Sequence, residues 1–154
     1  MHYKYSDLVQ CFKQGDFDAI AHGCNCFNTM GAGIALTIKN EFPEAYAADA
    51  ETFKGHRGKL GTYTSVSTTS GVIYNAYTQY TYWDETDMLS YDAVRLVFER
   101  INKDMKSKGI TRLGIPRIGT ARAGGDWGVI LSIIEEVCTD IEVYYVEYNG
   151  TVNK

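Results

Sequence analysis

Two glycine-rich loops and one histidine carry most of the chemistry that can be read from this chain. The first loop runs His22-Gly23-Cys24-Asn25-Cys26-Phe27-Asn28-Thr29-Met30-Gly31-Ala32-Gly33-Ile34. It leaves Asp18-Ala19-Ile20-Ala21-His22, which reads as a short buried strand, and opens a helix expected from Gly31 to about Tyr46. Glycines at a helix start let a ligand approach the main chain, and the unpaired N–H groups of a first turn can take phosphate oxygens. Gly31 and Gly33 would serve close helix–sheet packing equally well, and Leu36 stands where a dinucleotide fingerprint needs its third glycine. The second loop, Pro116-Arg117-Ile118-Gly119-Thr120-Ala121-Arg122-Ala123-Gly124-Gly125-Asp126-Trp127, also joins a strand to a helix. Its three glycines and threonine exceed what a plain connection requires. Together the loops suggest a clamp that grips a pyrophosphate from both sides.

The side chains around these loops leave several readings open. His22 titrates near neutrality, so at a strand end it can act as acid or base on a terminal phosphate, or it can be a buried residue that shapes the loop. Asp126 either orients a water or caps the following helix. Cys24 and Cys26 alternate with His22, yet His2 and His56 lie in unrelated segments and supply no fourth ligand, so no metal is expected. No cofactor is expected either.

The elements that must position these loops follow from periodicity. Thr62–Ser67 and Val72–Thr78 read as a strand pair turned at Thr69-Ser70-Gly71. Ala93, Val94, Val97, Phe98 and Ile101 recur at helical spacing between Ser90 and Ser107, and Gly109 ends the run. Arg112–Ile115 is a strand, Asp126 to Cys138 a helix, and Ile141–Tyr148 the last strand. Pro43 and Pro116 fall at element boundaries. Alternating strands and helices imply a three-layer α/β/α fold, and the hairpin makes its mostly parallel central sheet mixed. Ligands of such sheets sit at the carboxyl ends of the strands, where both loops lie.

Bulk properties narrow the classes. The 154 residues suit a single domain, here taken as 1–154. A net charge of -4 and a pI near 5.3 argue against an extended nucleic-acid interface. No apolar run reaches a membrane span, and the N-terminus lacks a signal-peptide core, so no membrane partner and a cytoplasmic location are expected. Cys11, Cys24, Cys26 and Cys138 read as reduced thiols. Oligomeric state leaves no trace in the sequence.

In their order along the chain these motifs resemble the macro-domain family, with the closest likeness to the yeast-type and phage-bacterial ADP-ribose 1''-phosphate phosphatases. His22-Gly23-Cys24-Asn25 stands where many members carry Asn-Ala-Ala-Asn, and the Ile118–Trp127 segment resembles the family's phosphate loop. Asp7-Leu8 resembles its adenine-recognising acidic position, and Asn75-Ala76-Tyr77-Thr78-Gln79 its phosphatase strand end. The resemblance implies that Asp7 and Leu8 hold adenine and that Asn25 holds the distal ribose. Gly31, Ala32, Gly33 and Ile34 would pass beside the diphosphate. Gly119, Thr120, Ala121, Arg122, Ala123 and Gly124 would wrap the phosphates, with Pro116 at the loop start counted among the ligand contacts. Apart from the resemblance, Tyr148 is read from its place after the last strand as an aromatic ring that can stack on adenine. The ligand would then be ADP-ribose or ADP-ribose 1''-phosphate, with His22, Asn25 and Asp126 as catalytic candidates. Members that remove ADP-ribose through a lysine carry Lys-Lys where this chain has Gln79-Tyr80, and their partner aspartate falls at Ala123. That leaves hydrolysis of ADP-ribose 1''-phosphate, hydrolysis of O-acetyl-ADP-ribose or ADP-ribosyl esters, or a non-catalytic reader.

Overall fold

A computed structural model of the chain describes residues 1–84, 86–119 and 123–150. Six strands are laid down in chain order: β1 (His2–Ser6), β2 (Ala19–Cys24), β3 (Tyr63–Ser67), β4 (Val72–Tyr77), β5 (Arg112–Ile115) and β6 (Glu142–Tyr148). They form one sheet in the order β1-β6-β5-β2-β4-β3, in which only the β3–β4 pair is antiparallel. The sheet is therefore mixed and mostly parallel, as the sequence pattern implied. All five parallel strands end on one edge, and the loops that follow them gather there.

Period-two alternation divides the core into two layers. Ala19, Ala21, Tyr74, Leu113, Ile115, Val143 and Tyr145 face the helices α4 (Tyr91–Lys108) and α5 (Trp127–Val137). Ile20, Ile73 and Val146 face α1 (Leu8–Lys13), α2 (Gly33–Glu41) and α3 (Pro43–Ala50) on the other side. In α4 the residues Val94, Val97, Phe98, Ile101 and Met105 are buried, which is the stripe an amphipathic helix turns to a sheet. Ser90 caps it through Oγ, which accepts from Ala93 N at 3.1 Å, and Gly109 closes it in the left-handed region.

One expectation about the elements is corrected, and one element was missed. The helix expected from Gly31 to Tyr46 begins at Gly33 and breaks at Phe42, because Pro43 has no N–H to continue it and instead starts α3. The strand β1 was not read from the sequence at all. His2-Tyr3-Lys4-Tyr5-Ser6 carries no apolar face; it is an exposed edge strand held by its parallel pairing with β6. Among the described residues, no helix is long and apolar enough to cross a membrane.

Candidate functional site

A cleft of about 710 Å³ opens at the carboxyl edge of the sheet. Asp7 and Leu8 line it from the β1–α1 junction, Gly33, Ile34 and Thr37 from the start of α2, Pro116 and Arg117 from the end of β5, and Tyr145 to Tyr148 from β6. Asp7 has a second task as the N-cap of α1, where Oδ1 accepts from Gln10 N at 3.0 Å. The first-turn amides of α2 have no helical partners of their own, so Gly33 and Ile34 bring main-chain donors to the cleft. Arg117 is a guanidinium held in place. Its Nη2 lies 3.7 Å from Glu147 Oε1, its Nε donates to Tyr145 OH at 3.4 Å, and the ring of Trp127 lies 5.9 Å away.

Of the sequence-selected ligand residues, Asp7, Leu8, Gly33, Ile34, Pro116 and Tyr148 line this cleft. Gly31 and Ala32 precede it as exposed backbone. In the second loop, Gly119 is half-buried, Ala123 is buried and Gly124 exposed, while Thr120, Ala121 and Arg122 lie outside the described residues. Gly125 has a steric reason to be glycine, since a Cβ there would sit 2.3 Å from the carbonyl oxygen of Gly119. That oxygen accepts from Gly125 N at 2.7 Å and pinches the loop shut. The lining residues Thr37, Arg117, Tyr145, Val146 and Glu147 were not selected from the sequence. Thr37 lies one turn beyond Gly33, a spacing that signals it once the helix start is known.

The three catalytic candidates do not line this cleft. His22 is completely buried on the α3 side of β2, where its Nε2–H donates to Asn75 Oδ1 at 2.7 Å. Desolvation lowers its pKa to about 4, opposed by the bond to Asn75. A neutral ring sealed inside a layer has no route to a proton in the cleft. Cys24 Sγ lies 3.6 Å from its Nε2, and burial pushes the Cys24 thiol well up. Asn25 is buried and occupied by its own loop: Nδ2 donates to Thr29 Oγ1 at 2.7 Å and Oδ1 accepts from Phe27 N at 2.8 Å. Asp126 is the N-cap of α5, accepting from Val129 N at 3.3 Å. Asn75, in the segment that resembled a phosphatase strand end, is also interior; its Nδ2 donates to Ala45 O and Thr64 Oγ1.

Behind the first loop stands a buried polar network invisible to motif reading. Lys59, from the short 3₁₀ turn Arg57–Lys59, donates to Cys26 O at 3.0 Å and Asn28 Oδ1 at 2.6 Å. Asn28 holds the left-handed conformation (φ 58°) and donates to Thr52 O at 2.9 Å. Tyr77 OH donates to Asp49 Oδ1 at 2.7 Å beside it. Burial lowers the pKa of Lys59 and raises that of Asp49.

An edge cleft between an acidic strand end, a glycine-opened helix and a glycine-rich loop defines a class. The chain belongs to the Macro domain family, which matches residues 21–134. Its relatives include a 17.5 kDa protein of Enterobacteria phage T4, 32% identical over 152 residues and 95% of each chain. A DNA ADP-ribosyl glycohydrolase of Mycobacterium tuberculosis is 28% identical over 130 residues; the match covers 81% of this chain but only 35% of that protein. An ADP-ribose 1''-phosphate phosphatase of Meyerozyma guilliermondii is 36% identical over 56 residues, 36% of this chain and 31% of that one. Among solved structures, the macrodomain of Thermus aquaticus DarG superposes with a TM-score of 0.75 at 19% identity, covering 96% of both chains. Thermosipho africanus DarTG, solved in complex with ADP-ribose, gives 0.73 at 15% identity over 96% of this chain and 41% of that one.

Proposed function

We propose that the edge cleft binds ADP-ribose. The observation that carries this reading is the convergence of Asp7, the first-turn amides of α2 and the Pro116–Arg117 loop start on one cavity. Adenine lies against Leu8 and Tyr148 with its amino group toward Asp7, an arrangement that suits a carboxylate acceptor and an aromatic ring. The diphosphate passes the amides of Gly33 and Ile34, which suits an acidic chain because main-chain dipoles rather than lysines meet the anion. Arg117 adds a cation when it exchanges Glu147 for phosphate. The distal ribose then points along the edge toward Asn25. Titration calorimetry with ADP-ribose, ADP and ribose 5-phosphate tests the reading: ADP-ribose binds more tightly than either fragment. Equal affinity for ADP and ADP-ribose would mean that the second half of the cleft is not used.

The catalytic part of the proposal is hydrolysis of ADP-ribose 1''-phosphate to ADP-ribose and phosphate. The short likeness to the Meyerozyma phosphatase and the Gln79-Tyr80 pair in place of two lysines support it. With His22 buried, the chemistry rests on main-chain electrostatics and a positioned water rather than on a titrating imidazole. Phosphate release by the purified protein is the expected result, and release from O-acetyl-ADP-ribose or ADP-ribosyl esters at a higher rate would reassign the substrate. Binding without any turnover would make the domain a reader.

A further inference from the structure

The edge cleft has two sides, and its charge is divided unevenly between them. Leu8, Ile34 and Val146 belong to the layer of α1 and α2, whereas Tyr145 and Trp127 belong to the layer of α4 and α5. Glu147 shares the parity of Tyr145 along β6, and Arg117 meets it on that side. Among the described residues that line the cleft, Arg117 is the only cation. It therefore stands across the end of β6 from the amides that open α2.

Arg117 is presented to the cleft rather than locked in the wall. Its Nε donates to Tyr145 OH at 3.4 Å, and that hydroxyl donates to Glu147 Oε1 at 3.2 Å. The same Oε1 closes the ring on Arg117 Nη2 at 3.7 Å. Both contacts of the arginine are longer than a good charge-assisted bond, and its side chain is 52% exposed against 39% for Glu147. An ion pair of this kind contributes little and opens readily. The Trp127 ring, 5.9 Å from the guanidinium and edge-on to Tyr145, limits where the head group can swing.

The shape of a nucleotide says what reaches this arginine. An adenosine 5'-diphosphate carries its base on C1' of the ribose and its phosphates through C4', which leaves the C2' and C3' oxygens on the remaining edge of the ring. Leu8, Gly33 and Ile34 anchor base and diphosphate from the α1–α2 side. The C2'–C3' edge is then turned toward Arg117 and Glu147.

We infer that Arg117 receives a phosphomonoester on the 2' or 3' oxygen of the adenosine ribose, so that the ligand class the cleft prefers is ADP-ribose bearing a third phosphate there. The inference rests on the ADP-ribose reading of the cleft and names the phosphate for which Arg117 leaves Glu147. In dinucleotide sites a carboxylate accepts a free ribose hydroxyl and an arginine accommodates a phosphate at the same position. Here the two groups stand as a pair. Glu147 accepts from the hydroxyl of an unphosphorylated ribose, and the planar fork of Arg117 fits two oxygens of a phosphate.

Titration calorimetry with ADP-ribose, ADP-ribose 2'-phosphate and ADP-ribose 3'-phosphate tests the assignment. The better of the two phosphorylated ligands binds about tenfold more tightly than ADP-ribose, the gain of one hydrogen bond to a charged group. Arg117→Gln brings that ratio to one or below, whatever it does to ADP-ribose itself, and Glu147→Gln keeps or widens it. A ratio of one in the wild-type protein, a ratio that survives Arg117→Gln, or one that collapses in Glu147→Gln overturns the inference. If ADP-ribose does not bind at all, the cleft reading has failed, and Arg117 is then tested alone with adenosine 2',5'- and 3',5'-bisphosphate against adenosine 5'-monophosphate. The same ratio, lost in Arg117→Gln, supports the arginine's role, and equal affinity or no binding overturns it.

Discussion

His22 shows at the scale of one residue how burial decides chemistry. Its folded pKa of about 4 lies below the ordinary histidine value of 6.5, so the unfolded chain binds a proton that the folded chain refuses. Stability is therefore fully present above pH 6.5 and is lost as pH falls toward 4. The shift corresponds to about 3 kcal/mol at most. Denaturant unfolding at pH 7 and pH 4.5 should show this loss in the wild-type protein and much less of it in His22→Gln. A slope unchanged by the substitution would mean that other groups dominate. The histidine, the glycines and Asp7 were all legible in the sequence as residue types. What could not be read was the side of β2 on which His22 stands, because parity along a strand acquires meaning only when the flanking layers are known.

Among the elements, the loop between β2 and α2 depends on a lysine distant in sequence. Lys59 fills two acceptors, Cys26 O and Asn28 Oδ1, that a shorter or apolar side chain would leave unpaired. Lys59→Met should destabilise the fold by about 1–3 kcal/mol. Amide hydrogen exchange should also speed up across Asn25–Gly31 more than in β2, and ADP-ribose affinity should fall with it. Uniform loss of protection would instead indicate global weakening. Strand β5 offers a second check, since a Cβ on Gly114 would meet Phe17 at 2.6 Å and Leu8 at 2.9 Å. Gly114→Ala should cost about 1–3 kcal/mol by overpacking and displace Leu8 from the cleft wall. Helices α4 and α5 were readable to within a residue because their caps, Ser90, Gly109 and Asp126, use local chemistry. The α2–α3 break was only half read, since Pro43 was placed at an element boundary while the helix was run past it to Tyr46, and β1 was not read. The first turned on one proline inside a helical pattern, and the second on pairing with a strand at the other end of the chain.

For the whole molecule, the order β1-β6-β5-β2-β4-β3 turns scattered motifs into a site. Asp7 and Tyr148 meet because the first and last strands are neighbours, a relation that spans the chain and that no local pattern announces. The ligand is expected to stabilise the folded domain by mass action. At a hundredfold excess over its Kd, ADP-ribose should add about 2.7 kcal/mol. For a domain of this size that is a rise in Tm of about 5–10 °C, read by scanning calorimetry, and ribose 5-phosphate at the same concentration should give much less. A crystal structure of the protein soaked with ADP-ribose tests the central claim most directly. The account predicts adenine between Leu8 and Tyr148, the diphosphate on the amides of Gly33 and Ile34, and the distal ribose directed along the edge toward Asn25. Density for the nucleotide away from this cleft, or lying in it with the adenine at the Asn25 end, would contradict it.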